Sequence, residues 1–226
     1  MPKAIAHHLP PTPLIPNSPY PLLHYPALLT NPTATAAHTL FASNAWKTQW
    51  IYRYGRTQRS HYHATAHECM AVLSGTATIR FGVADTSEDL EDNTHGAAHE
   101  DGGVEIQAKV GDLFVIPAGV SHKTFDAAPE AAFGLLTPGN GHAVEGEDVA
   151  SVLREVALSG FTMVGAYPVG QEWNSCLGGE HCGRGERERV WRVERPGRDP
   201  VVGGSEEGLV GLWEEGDLVR LVGEGE

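Results

Sequence analysis

The stretch Gly55-Arg-Thr-Gln-Arg-Ser-His61-Tyr-His63-Ala-Thr-Ala-His67-Glu68-Cys-Met-Ala-Val-Leu-Ser-Gly75 decides the fold. Alternate residues of a strand share a face, so His61 and His63 can point at one spot. A short turn then places Glu68 at the start of the next strand, where an antiparallel return brings its carboxylate to the same spot. A second stretch, Gly111-Asp-Leu-Phe-Val-Ile-Pro117-Ala-Gly119-Val-Ser-His122, completes the set. Its Gly and Pro punctuate turns on either side of Leu113–Ile116 and deliver His122 from a different strand. Three imidazoles and one carboxylate suit a single divalent transition metal, and iron, manganese, nickel, copper and zinc all tolerate them. Four protein ligands on an octahedral ion leave about two positions for substrate, water or dioxygen.

Around these stretches the chain reads as short strands broken by glycines, at 50–54, 61–64, 68–73, 76–81, 103–109, 112–116, 120–126 and 131–136. Their length and spacing predict a closed or double-layered antiparallel sheet. Residues 83–102 interrupt them with seven acids and no Lys or Arg, which predicts a solvated, mobile insertion. Residues 33–42 fit a short helix. Val149, Val152, Leu153 and Val156 recur at helical spacing, predicting a helix over 147–158 stopped by Gly160. Residues 161–167 look like one more strand, and 177–208 like a long connection following the surface. Nine of the fifteen prolines lie before residue 33. Proline lacks an N–H, so this arm is expected to be extended and excluded from a sheet. Its apolar groups, Leu14, Ile15, Leu22, Leu23 and Leu29 among them, predict that it packs over a domain. No internal repeat is present.

Sixteen basic against twenty-nine acidic residues give a formal net charge of −13, a surface that repels phosphate backbones and anionic lipid. Neither nucleic acid nor membrane is therefore an expected partner, and no apolar run is long enough to span a bilayer. Three cysteines are too few for a disulfide framework, and the N-terminus lacks the apolar stretch of a signal peptide. The expected location is cytoplasmic. Charge is uneven along the chain, because the first 67 residues hold no Asp or Glu and Glu68 is the first carboxylate.

The two histidine stretches resemble the paired motifs of the cupin superfamily, with Asp126 where many cupins end the second motif in Asn. A closer resemblance, to the YjlB-type single-domain cupins, rests on Ile15-Pro-Asn-Ser-Pro, Pro21-Leu-Leu-His-Tyr-Pro, Asn44-Ala-Trp, Ala66-His-Glu, Gly111-Asp, Val164-Gly-Ala-Tyr-Pro and Asp199-Pro-Val-Val-Gly-Gly. It implies an all-β fold: a jelly-roll barrel (double-stranded β-helix) with a metal at its mouth, a proline-rich N-terminal arm, a few short helices and often a dimer. The expected division is 1–45 arm and helix, 46–170 barrel and 171–226 a C-terminal extension covering it. The acidic insertion and the helix at 147–158 depart from the family pattern.

The metal ligands expected are thus His61, His63, Glu68 and His122. His67 should face away from Glu68. The candidates for acid–base or substrate-binding work are Tyr52, Arg59, His67 and Asp126. Arg53, Arg56 and Arg59 can hold a substrate carboxylate or form rim ion pairs. Cys176 and Cys182, with His181, fit no common zinc spacing and read as surface thiols. Tyr52, Tyr54, Met70, Ile79, Phe81, Phe114 and Phe133 read as barrel filling. Tyr167, Gln171, Trp173 and Asn174 read as a lid or as core anchors. Two functions fit. One is a metal-dependent enzyme acting on a small oxygenated molecule as an oxygenase (dioxygenase-like above all), decarboxylase or isomerase. The other is a non-catalytic, metal-stabilised small-molecule-binding cupin. A two-fold homodimer would cover free sheet edges and the apolar arm.

Overall fold

Alternation of apolar residues along the central strands accounts for the layers. In the computed structural model, which describes residues 3–214, ten strands form two antiparallel sheets. The strands are β1 (Ile5–His7), β2 (Leu22–Tyr25), β3 (Trp46–Tyr54), β4 (Glu68–Ser74), β5 (Thr76–Phe81), β6 (Val104–Lys109), β7 (Leu113–Ile116), β8 (His122–Ala128), β9 (Gly134–Leu135) and β10 (Phe161–Pro168). The larger sheet runs β1-β2-β7-β4-β10-β3-β9 and the smaller β6-β5-β8. One face of the larger sheet meets the smaller one, where Trp50, Met70, Val72, Phe114, Ile116 and Met163 pack with Ile79 and Phe81. The other face, carrying Ile51, Cys69, Ala71, Leu113, Val115 and Val164, is covered by Phe41, Leu209 and Trp213. Both faces are therefore dry, and β4 and β7 read as nearly unbroken apolar runs. The two antiparallel layers are what the strand spacing predicts, and the all-β jelly-roll architecture is what the resemblance implies.

Three motif glycines, Gly75, Gly111 and Gly119, stand where a side chain would collide. Gly75, at φ +71°, turns β4 into β5, and a Cβ there would lie 2.5 Å from the Ala128 carbonyl oxygen. The helix α1 (Ala34–Ser43) starts where the Thr33 hydroxyl accepts the Ala36 N–H at 3.1 Å, and it buries Ala34, Ala37 and Phe41.

Several expectations are corrected. The arm does enter the sheet: β2 lies between β1 and β7, because Leu22–Tyr25 is a proline-free window between Pro21 and Pro26. Leu22 and Leu23 are fully buried by this chain itself, so they supply no argument for a second copy. The insertion is organised around a buried arginine. Arg80 donates to the carbonyls of Asn93 and Thr94 at 2.8 and 2.9 Å, holding the helix α2 (Leu90–His95) on the barrel. The Glu100 carboxylate ties the insertion to the arm through Thr12 Oγ1 and the Leu14 N–H. The helix α3 covers only Val149–Arg154, capped by Asp148, and Gly160 lies beyond it in the turn into β10. That strand, expected over 161–167, pairs with both β3 and β4. Residues 177–208 contain a helix, α4 (Arg184–Trp191), whose Trp191 indole N–H reaches the Pro16 and Asn17 carbonyls. A last short helix, α5 (Leu209–Leu212), closes the outer layer. Cys176 is buried and is no surface thiol. The extension expected over 171–226 runs past residue 214, and its last part lies outside the described residues. Among the described residues, no helix is long and apolar enough to cross a membrane.

Candidate metal centre

Residues 61–64 form no regular strand, yet the alternation expected of them holds. His61 exchanges backbone hydrogen bonds with His122 (3.2 and 2.8 Å), and Tyr62 exchanges them with Cys176 (2.9 and 3.0 Å). The segment is thus pinned between the start of β8 and the chain near residue 176. Tyr62 faces outward into a small cluster with Ile15, Ala118 and Val190. His61 and His63 face inward, where the ring centroids of His61 and His63 lie 4.3 and 5.4 Å from that of His122. The ligating atoms of these three histidines all lie within 4.8 Å of one another, so the group can hold a metal ion.

Each imidazole has its Nδ1 directed at a backbone carbonyl: His61 at Arg59 (3.3 Å), His63 at Asn174 (2.5 Å) and His122 at Val120 (3.4 Å). A carbonyl only accepts, so the proton sits on Nδ1 and each Nε2 carries a lone pair. Fixing the ligating tautomer through the other ring nitrogen is characteristic of metal-binding histidines. Glu68 opens β4 on the inner face. Its Oε1 lies 3.4 Å from His63 Nε2 and its Oε2 lies 3.3 Å from His122 Nε2. These are contacts between acceptors, and Oε2 is buried with no hydrogen-bond donor. A cation between them resolves that conflict, so these residues fit a divalent ion.

The protonation states agree with that fit. Burial and the neighbouring His122 and His63 hold His61 down at about 3. Burial, opposed by Glu68, leaves His122 at about 4. Burial pushes the Glu68 carboxyl up, but His63, His122 and a hydrogen bond from Tyr167 outweigh it and hold it at about 2. At neutral pH the site therefore presents His61 and His122 as neutral imidazoles beside an ionised carboxylate, the forms that bind metal. Tyr167 donates its hydroxyl to Glu68 Oε1 and receives the Trp50 indole N–H at 3.1 Å.

A cavity of about 340 Å³ opens above this cluster. Its walls include Tyr52, expected among the catalytic candidates, and Arg59. Two other candidates are elsewhere. Asp126 has φ +52°, which breaks the alternation of β8 and turns its carboxylate out to His95 Nε2 at 3.3 Å. His67 lies on the outer face against the Trp213 ring, with its Nδ1 accepting the Ala118 N–H at 3.0 Å. Arg53 is used by the Ala132 carbonyl and the Ser159 hydroxyl, and Arg56 by both oxygens of Glu91, so neither is a free anion receptor. Phe133 does not fill the barrel. It is 58% exposed at the cavity mouth, stacked on Tyr52 at 5.2 Å. Trp173 also lines the cavity, between His63 and the stacked ring of His142. The bond from Tyr167 to Glu68 and the grip of the Asn174 carbonyl on His63 were not foreseen.

His67 gives a test of burial alone. Its side chain is held down to about 4 by desolvation, against about 6.5 when unfolded. Between these values the unfolded chain binds a proton that the folded chain does not, so stability falls as pH drops from 6.5 towards 4. At pH 5 that loss is about 2 kcal/mol. In chelator-treated protein, His67→Phe should lose about 2 kcal/mol less than the parent between pH 7.5 and pH 5, as read by urea unfolding. Equal losses would show that His67 is already charged in the folded state.

Residues 57–159 match the Cupin family. The chain is 26% identical over 203 residues to the uncharacterized protein YjlB of Bacillus subtilis (strain 168), covering 88% of this chain and 90% of that one. Among solved structures, an 11S globulin from Wrightia tinctoria is 11% identical with a TM-score of 0.29. The match covers 57% of this chain and 22% of the globulin. RmlC from Streptococcus suis, in complex with dTDP-D-xylose, is 10% identical with a TM-score of 0.26, over 57% of this chain and 47% of that one. The hydroquinone 1,2-dioxygenase PnpCD, in complex with Cd2+ and 4-hydroxybenzonitrile, is 10% identical with a TM-score of 0.24, over 69% of this chain and 65% of that one. The chain thus spans less than two thirds of each of these solved chains. The family match runs from Thr57 to Ser159 and takes in all four residues gathered at the cavity floor; the chain has the cupin fold and resembles both the Cupin family and YjlB.

Proposed function

We propose that this cupin is a metal-dependent enzyme acting on a small oxygenated organic molecule, of oxygenase, decarboxylase or isomerase type. The observation that carries the reading is the set of acceptor atoms facing one another at the floor of an open cavity. The ligands are the Nε2 atoms of His61, His63 and His122 with Oε2 of Glu68. A divalent transition metal bound by them supplies a Lewis-acid or dioxygen-activating centre. Tyr167 fixes the carboxylate by donating to Oε1, which leaves Oε2 turned to His122. Burial and the Glu68 charge push the Tyr167 phenol well above its usual range, so it stays a donor. The walls are largely aromatic, while Gln58, Arg59 and Ser175 add polar groups. A purely structural metal would need no such space, and about 340 Å³ falls within the ~300–1,000 Å³ of small-molecule sites.

Metal analysis after native purification should find close to one transition-metal ion per chain. Oxygen uptake and product analysis over a panel of small diketones, phenols and acids should then separate the reaction types. A chain that takes up no divalent ion even on reconstitution would overturn the reading. A loaded chain that binds members of the panel but turns none over would favour the binding module.

A further inference from the structure

Six aromatic side chains, Trp50, Tyr52, Tyr54, Phe133, Tyr167 and Trp173, wall the metal cavity. Such flat faces accept a planar ring through stacked and edge contacts. Arg59 alone among the lining residues carries a permanent positive charge, and it already holds a carboxylate, that of Glu88. Arg59 also lines a neighbouring cavity of about 380 Å³, to which Glu88 belongs, whereas Glu88 does not line the metal cavity. Arg59 therefore borders both cavities, and it takes Glu88 through Nη2 alone, which leaves its Nε and Nη1 donors for a ligand. The Glu88 side chain is 93% exposed, so its pairing with Arg59 is screened by water and readily exchanged.

We propose that the cavity selects a flat aromatic carboxylic acid, whose ring lies among the aromatic walls and whose carboxylate replaces that of Glu88 on Arg59. This rests on the reading of the metal cavity as a small-molecule site, but it needs no metal for the Arg59 contact itself. Glu88 then acts as an internal competitor, carried by the acidic insertion, which raises the concentration of acid needed for binding.

The test uses the full chain, chelator-treated and metal-loaded in parallel, with three probes: 2-naphthoate, 2-naphthol and cyclohexanecarboxylate. Binding is followed by quenching of tryptophan fluorescence, since Trp50 and Trp173 line the cavity, and by calorimetry. Naphthoate should bind about tenfold or more tightly than either of the other two, the gain of a charge-assisted hydrogen bond combined with stacking. Arg59→Met should abolish that preference. Glu88→Gln should tighten naphthoate about two- to tenfold and leave naphthol unchanged. Should Arg59→Met fail to fold, the exposed Glu88 position still decides the matter. Equal affinity for naphthoate and naphthol, no binding of either, or no response to Glu88→Gln each overturns the proposal. Naphthoate binding only to loaded protein, untouched by Arg59→Met, would mean that the metal takes the carboxylate, and the proposal falls while the metal reading stands. Discrimination through Arg59 in a chain that never takes up metal would do the reverse.

Discussion

Replacing His122 by Ala is expected to cut metal occupancy at least about tenfold, whereas His67→Ala should leave it unchanged. The two residues are both buried and both beside the motif strands, so burial does not separate them. Face does. The His122 ring meets His61 and His63, and its Nε2 lies 3.3 Å from Glu68 Oε2. His67, just before β4, lies on the outer face of the larger sheet, its ring 4.9 Å from that of Trp213. Removing His122 would delete one proposed ligand and leave Oε2 of a buried carboxylate without its imidazole neighbour. Removing His67 leaves the Ala118 N–H without its acceptor, a cost to stability of about 1–3 kcal/mol and none to metal binding. Tyr167→Phe should fall between, because it frees the Glu68 carboxylate to rotate while keeping every ligand, and loss of such a partner weakens metal about 10–100-fold. Metal content per chain after dialysis against a weak chelator checks all three. Equal losses at His122 and His67 would mean the ligands have been assigned to the wrong face.

How far the sequence carries depends on the range of the interaction that fixes each feature. The convergence of His61 and His63 follows from alternation over two residues, and it survives although 61–64 is held only by isolated bridges. Tyr167 was invisible as the partner of Glu68 because 99 residues separate them. Only the register of β10 on β4, Ala166 against Cys69, brings the phenol to the carboxylate. The Asn174 contact to His63 uses a backbone carbonyl, which leaves no trace in residue type. The arm was misjudged because proline's lost donor was charged to the whole segment, while the four residues that pair contain none. The insertion misled through its composition. Its acids suggested solvation, yet the feature that organises it is Arg80, a guanidinium in the middle of a buried strand needing acceptors. Asp126 failed through backbone: one positive φ turned a residue of the right parity outward.

Asp199→Ala is expected to remove at least about 3 kcal/mol of stability, although the residue touches neither the cavity nor any metal ligand. Its side chain is fully buried beneath the C-terminal segment. Oδ1 accepts the Val201 and Val202 N–H groups at 2.7 and 3.0 Å, and Oδ2 accepts the Tyr25 hydroxyl and the Leu209 N–H at 2.8 and 2.9 Å. One carboxylate thereby joins β2, the turn after Pro200 and the start of α5, which carries Leu209 onto the outer face of the sheet. Alanine leaves four donors without their acceptor, two of them, the Tyr25 hydroxyl and the Leu209 N–H, buried, each costing about 1–3 kcal/mol where water cannot reach. Asp199→Asn keeps the shape and one acceptor oxygen but turns an amide against the remaining donors, so it should lose less. The damage should be local before it is global. Limited proteolysis of Asp199→Ala should cut between residues 192 and 208 while the barrel strands stay protected, since segments with few remaining ties open first. Urea unfolding gives the size of the loss, and a change below about 1 kcal/mol would show that solvent enters and satisfies those donors. Metal occupancy should stay at the parent level in folded protein, because this staple lies behind the larger sheet, on the face away from Glu68 and the histidine cluster.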